Sequence, residues 1–124
     1  MIVILIVLGI GAFFLYPYLD DILSFFNIHP SEEGIQRIIN AQKCRHNLKL
    51  IEAAKEAWAR DHGKVYGEKV TWKDLYPYLG RTTPLTCPSG GTYILNSYGI
   101  NAQCTIGING TPDDPNDDHI LRIK

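Results

Sequence analysis

Three residue types in this chain could bind or react, namely cysteine, aspartate and histidine, and their spacing narrows the chemistry. Asp113, Asp114, Asp117 and Asp118 crowd one stretch, PDDPNDDH. Hard oxygen donors at that density suit Ca2+, and Asp114, Asn116 and Asp118 keep the one-three-five spacing of an EF-hand loop. His119 stands where that loop needs glycine, so a true EF-hand is excluded. A solvated acidic turn is the plainer reading of these residues and calcium the sharper one. Cys44, Cys87 and Cys104 make an odd count with no C-x-x-C pair, which weakens zinc-ribbon and thioredoxin-type readings. His29, His46, His62 and His119 share no ligand spacing. Cys44 and His46 stand two apart on an expected helix and point apart, so they form no dyad.

No G-x-S-x-G, P-loop or G-x-G-x-x-G pattern occurs, and Gly90–Gly91 belongs to a turn before a strand. No constellation supports an enzyme, no small-molecule substrate is evident, and calcium is the single cofactor candidate. With 12 basic against 13 acidic side chains and a net charge of −1, neither a nucleic-acid partner nor a polybasic membrane contact is indicated.

The elements that must position these residues begin with CRHNLKLIEAAKEAWARDHG. At helical period Cys44, Leu48, Ile51, Ala54 and Trp58 fall on one stripe, the face expected to pack on the chain's own sheet. Glu52 and Glu56 precede Lys55 and Arg60 by three or four positions, which predicts exposed pairs worth a few tenths of a kcal/mol each. Ser31, followed by Glu32 and Glu33, reads as the start of this helix and Gly63 as its stop, giving a helix over 31–62. Ile35, Ile38 and Ile39 lie roughly opposite the stripe, an expected assembly face toward lipid or a neighbouring subunit; a frayed or bent first turn is the alternative. Thr71 and Asp74 make a capping-box start to a short helix over 71–79, closed by Gly80. TYILNSYG and AQCTIGI read as two strands of a hairpin over 92–107, and 120–123 as a last short strand.

Ahead of these, MIVILIVLGIGAFFLYPYL carries no charged side chain. At about 1.5 Å per residue it spans roughly 28 Å, close to the roughly 30 Å of a hydrocarbon core. Tyr16 and Tyr18 suit an aromatic belt, and Asp20 and Asp21 the exit into water. The expected organisation is an anchor helix over 1–28, in contact with membrane lipid, and a globular domain over 29–124.

This order of parts resembles the bacterial type IV pilin-like proteins. The closest likeness is to short pseudopilin-type sequences with a C-x-x-N-L-x-x-I-E-x-A-K-x-x-W helix and a C-P-x-G-G-T-Y hairpin, and it covers about residues 44–122. The resemblance implies an α+β, pilin-like fold. A long N-terminal helix, half in the membrane and half amphipathic, would pack on a small antiparallel sheet with one short extra helix. It implies a single-pass protein of the bacterial cytoplasmic membrane, its C-terminal domain outside, in a secretion or pilus-type assembly. In such an oxidising setting Cys87 and Cys104 are expected to form a disulfide, closing about seventeen residues and contributing about 3 kcal/mol. Cys44 is then a small core residue or a competing partner for one of them. Some secretion pseudopilins bind calcium near the C-terminus, which keeps the aspartate loop in view. The apolar run holds no acidic residue before Asp20, where pilins carry a glutamate that pairs during assembly. Two functions are therefore expected: a self-associating pseudopilin-like structural subunit or accessory component, or an anchored binding module that never polymerises.

Overall fold

The computed structural model describes residues 31–108 and 116–121. The chain divides into two units, Met1–Ser31 and Glu32–Lys124, of which the second contains the described elements. Helix α1 (Glu32–His62) carries Glu32 and Glu33 in its first turn and Arg60 and His62 in its last, so both ends complement the helix dipole. Its 31 residues make a rod of about 46 Å. Gly63 ends it at φ 61°, and the Lys64 N–H donates to the Ala59 carbonyl at 2.8 Å, the six-to-one bond of a Schellman cap.

The buried side of α1 is Ala41, Cys44, Leu48, Ile51, Ala54, Lys55, Trp58 and Ala59. Against it pack Val70, Leu75, Leu85, Cys87, Tyr93, Leu95, Ala102 and Cys104, which complete one core. Helix α2 (Trp72–Leu79) starts on a full capping box between Thr71 and Asp74 and ends at Gly80 in the left-handed conformation. Leu75 is its buried residue, with Trp72, Tyr78 and Leu79 partly buried against the core.

Strands β1 (Tyr93–Ile94) and β2 (Gln103–Cys104) pair antiparallel, Tyr93 with Cys104 and Ile94 with Gln103. Each is two residues long, far shorter than the hairpin expected over 92–107. The reason lies on α1. Past Ile94 the Leu95 carbonyl accepts from Lys55 Nζ at 2.9 Å, the Ile100 carbonyl accepts from the same amine, and the Ala102 N–H donates to Glu52 Oε1 at 2.7 Å. Backbone groups that a longer ladder would pair across strands are instead taken by helix side chains. Asn96 at φ 55° and Gly99 at φ 90° turn the chain away from extended geometry. Ile120 and Leu121 are irregular rather than a strand, and 122–124 lie outside the described residues.

The fold is thus mostly helical, with two helices and a minimal strand pair among the described residues. This corrects the expected α+β, pilin-like architecture, whose sheet and membrane-crossing half-helix are the defining parts. Among the described residues no helix is long and apolar enough to cross a membrane. The anchor expected over 1–28 lies outside them. Lys55 also departs from expectation. It is 1% exposed rather than half of a surface pair, because Glu52 and two carbonyls satisfy its three protons.

Candidate functional site

Four potential metal ligands meet in the core, each from a different part of the chain. Cys44, Cys87, Cys104 and His119 bring one ligand atom apiece, all within 4.8 Å of one another. They are 0%, 4%, 6% and 1% exposed. The three cysteines are free thiols, so Cys87 and Cys104, expected as a disulfide, are unbridged and share one cluster with Cys44.

Local chemistry explains how each arrives. Cys44 follows from the apolar stripe of α1. Cys87 opens a tight turn, C-P-S-G-G, in which the Gly90 N–H donates to the Cys87 carbonyl at 3.0 Å and the Cys87 N–H to the Gly91 carbonyl at 3.1 Å. Gly91 lets this turn press on β2. A Cβ there would stand 2.7 Å from Ile106 Cγ1 and 3.1 Å from the Cys104 sulfur, closer than packed carbons tolerate. Cys104 leads into a second turn, closed by the Gly107 N–H on the Cys104 carbonyl.

His119 is delivered by a strap of irregular chain. Its own N–H donates to the Gly107 carbonyl at 2.8 Å. Arg45, the neighbour of Cys44, donates from Nη1 to the carbonyls of Asn116 at 3.0 Å and Asp118 at 2.6 Å, and Arg37 faces the Asp117 carboxylate at 3.8 Å. The imidazole places Nδ1 3.2 Å from Cys87 Sγ and Nε2 3.5 Å from Ser89 Oγ. Burial, with the Arg45 charge second, pushes the His119 pKa down, which keeps the ring neutral and able to offer a lone pair. Burial pushes the Cys44 and Cys104 thiols up. The Tyr93 hydroxyl accepts from Asn47 Nδ2 at 3.1 Å.

A cluster of three sulfurs and one imidazole can hold a soft or borderline metal ion, or exchange among disulfides; it lacks the hard oxygens that Ca2+ needs. Sequence spacing hid it, since its members are far apart in the chain and the one clue was local. Cys87 sits in a Cys-Pro-x-Gly-Gly sequence, whose proline and glycines mark a tight turn. Three cysteines fall one short of a four-ligand set, and nothing in the spacing of the four histidines singles out His119 as the fourth.

Of the residues expected to hold calcium, Asp117 and Asp118 are buried, the first beside Arg37 and the second in the strap held by Arg45; Asp113 and Asp114 lie outside the described residues. Leu48, Ile51, Ala54 and Trp58 lie in the core with Cys44. On the first turns of α1, Ile35 and Ile39 are 43% and 38% exposed, and Ile38 is half-buried. No family model, characterised protein or solved structure matches the chain.

Proposed function

We propose that this chain is a non-enzymatic, membrane-anchored structural subunit or accessory component of a bacterial secretion or pilus-type assembly. In this reading the apolar run over 1–19 is the anchor, and the unit from Glu32 onward stands on the outer side of the cytoplasmic membrane. The observation that carries the proposal is the change of face along α1. From Ala41 onward one stripe is buried by the chain's own core, whereas Ile35 and Ile39 leave large apolar side chains exposed on the turns before it. Exposed isoleucines in consecutive turns of a helix are the surface a second helix would cover, and the occupant proposed is the same stretch of another copy. The motif likeness to pseudopilin-type sequences supports the same reading.

The test is the size of the full chain extracted in mild detergent. Ile35→Lys with Ile39→Lys should reduce a self-associated species to the monomer, while circular dichroism and membrane retention stay as in the unmodified protein. A chain that is monomeric before the change, at every concentration in the membrane, overturns the proposal. That result favours the second reading, an anchored binding module, for which the exposed Ile94 and Ile100 beside the strand pair offer the contact surface.

A further inference from the structure

We propose that Cys44, Cys87, Cys104 and His119 bind one Zn2+ ion in a closed, four-coordinate structural site, through three sulfurs and the histidine Nδ1. The inference stands on these four side chains and does not depend on self-association.

The geometry fits a single ion. A tetrahedral Zn2+ with Zn–S bonds of about 2.3 Å holds its sulfurs about 3.8 Å apart. Four ligand atoms mutually within 4.8 Å are near enough to share one such ion, whereas a disulfide would need two sulfurs at about 2.0 Å. The imidazole is turned for the task. Nδ1 faces Cys87 Sγ at 3.2 Å, while Nε2 points away to Ser89 Oγ. That is the arrangement in which the ring nitrogen not bound to metal donates its proton to an outer partner and fixes the tautomer. Tyr93, the register partner of Cys104, accepts from Asn47 Nδ2 at 3.1 Å.

The donor set selects the metal and its role. Three thiolates and one neutral imidazole are soft and borderline ligands, which favour Zn2+ over Ca2+, Mg2+ or Mn2+. All four side chains are buried and fill the coordination sphere, so the site stabilises rather than turns over substrate. Binding moves protons in a defined way: three thiols lose three protons to solvent, the imidazole contributes its lone pair, and no electron is transferred. The resulting centre carries one net negative charge, and the Arg45 guanidinium of α1 is bonded to the strap at the Asp118 carbonyl, next to His119. The ion would tie α1, the 87–91 turn, β2 and the strap at one point, a cross-link that two-residue strands do not supply.

The experiment uses the full chain in detergent, reduced, stripped by chelator and titrated with Co2+ alone. One equivalent should produce the visible d–d absorption of tetrahedral cobalt and a sulfur-to-cobalt charge-transfer band, both abolished by Zn2+. His119→Ala and Cys104→Ser should lower affinity by more than the roughly 10- to 100-fold that losing an outer-shell partner causes. Ser89→Ala, which keeps all four ligands, should stay folded, keep the tetrahedral spectrum and bind roughly tenfold more weakly. Alkylation of the membrane-extracted protein after denaturation without reductant should label all three cysteines. No cobalt spectrum in the reduced chain, a spectrum unchanged in His119→Ala, or a disulfide in the extracted protein each overturns the assignment. The Ile35→Lys, Ile39→Lys variant should bind Co2+ as the unmodified chain does, which separates failure here from failure of the assembly reading.

Discussion

Replacing Lys55 with methionine keeps the length and apolar stem of the side chain and removes its ammonium. That ammonium is 1% exposed and donates to Glu52 Oε1 at 3.1 Å, to the Leu95 carbonyl at 2.9 Å and to the Ile100 carbonyl. Loss of the donor leaves two carbonyls in or near the core without it, at about 1–3 kcal/mol each. Glu52, whose side chain is 23% exposed, can turn to water and adds less. Breaking a buried charge pair from one side costs about 3–5 kcal/mol, and the two routes converge on roughly that figure. For a domain of this size each kcal/mol lowers the midpoint by about 4–8 °C, so Lys55→Met should melt at least about 12 °C below the unmodified chain. Far-UV circular dichroism of the full chain in detergent, at one fixed metal concentration, reads the shift. Hydrogen exchange at Ala102 reports the mechanism, because that amide should lose protection when Glu52 is no longer held. A loss under about 1 kcal/mol, or an Ala102 amide as protected as before, would refute the claim that this amine organises the strand pair.

Two smaller perturbations test neighbouring parts. Arg45→Met removes its two bonds to the 116–118 strap and should cost about 2–3 kcal/mol, with faster release of bound Zn2+ to a chelator; unchanged melting and release would show that the other contacts of the strap position His119 without Arg45. The Tyr98 hydroxyl donates to Glu56 Oε2 at 3.0 Å, and that bond, with burial second, raises its pKa above the usual phenol value. An acid raised on folding stabilises fully below the unfolded value of about 10 and loses that contribution as pH climbs through the folded one. Urea midpoints should therefore fall in strongly alkaline buffer for the unmodified chain and fall less for Tyr98→Phe.

What could be read in the chain beforehand was what depends on near neighbours. The stripe from Cys44 to Trp58, the stop at Gly63 and the Thr71–Asp74 capping box are all settled within one or two turns of helix, so residue order reveals them. The strand pair is shorter than its residues suggest for the opposite reason. TYIL and AQCTIGI have the β-branched and aromatic content of longer strands, yet their backbone partners are Glu52 and Lys55, some forty to fifty residues away on α1. Lys55 itself reads as a surface charge because only distant carbonyls make its burial tolerable. The sulfur cluster escaped for the same cause: no two of its members are close enough in the chain to show a ligand spacing. Asp117 and Asp118 read as water-facing acids, and the arginines that contact their segment, Arg37 and Arg45, belong to α1.

Because the hold of α1 on the tip of the strand pair runs through main-chain atoms, the side chains there are largely released from structural duty. Any residue offers the carbonyls that Lys55 reaches at positions 95 and 100, and any residue but proline offers the amide that Glu52 takes at 102. Three positions between 96 and 101 are tied by their own demands: Asn96, left-handed and bonded from Nδ2 to the Asn101 carbonyl at 2.7 Å, Tyr98, which packs on the core and donates to Glu56, and Gly99, where a Cβ would fall 2.6 Å from the Tyr66 ring. Ser97, Ile100 and Asn101 can therefore drift in identity while the loop keeps its shape, making the tip a place where new surface chemistry can be tried without unmaking the fold.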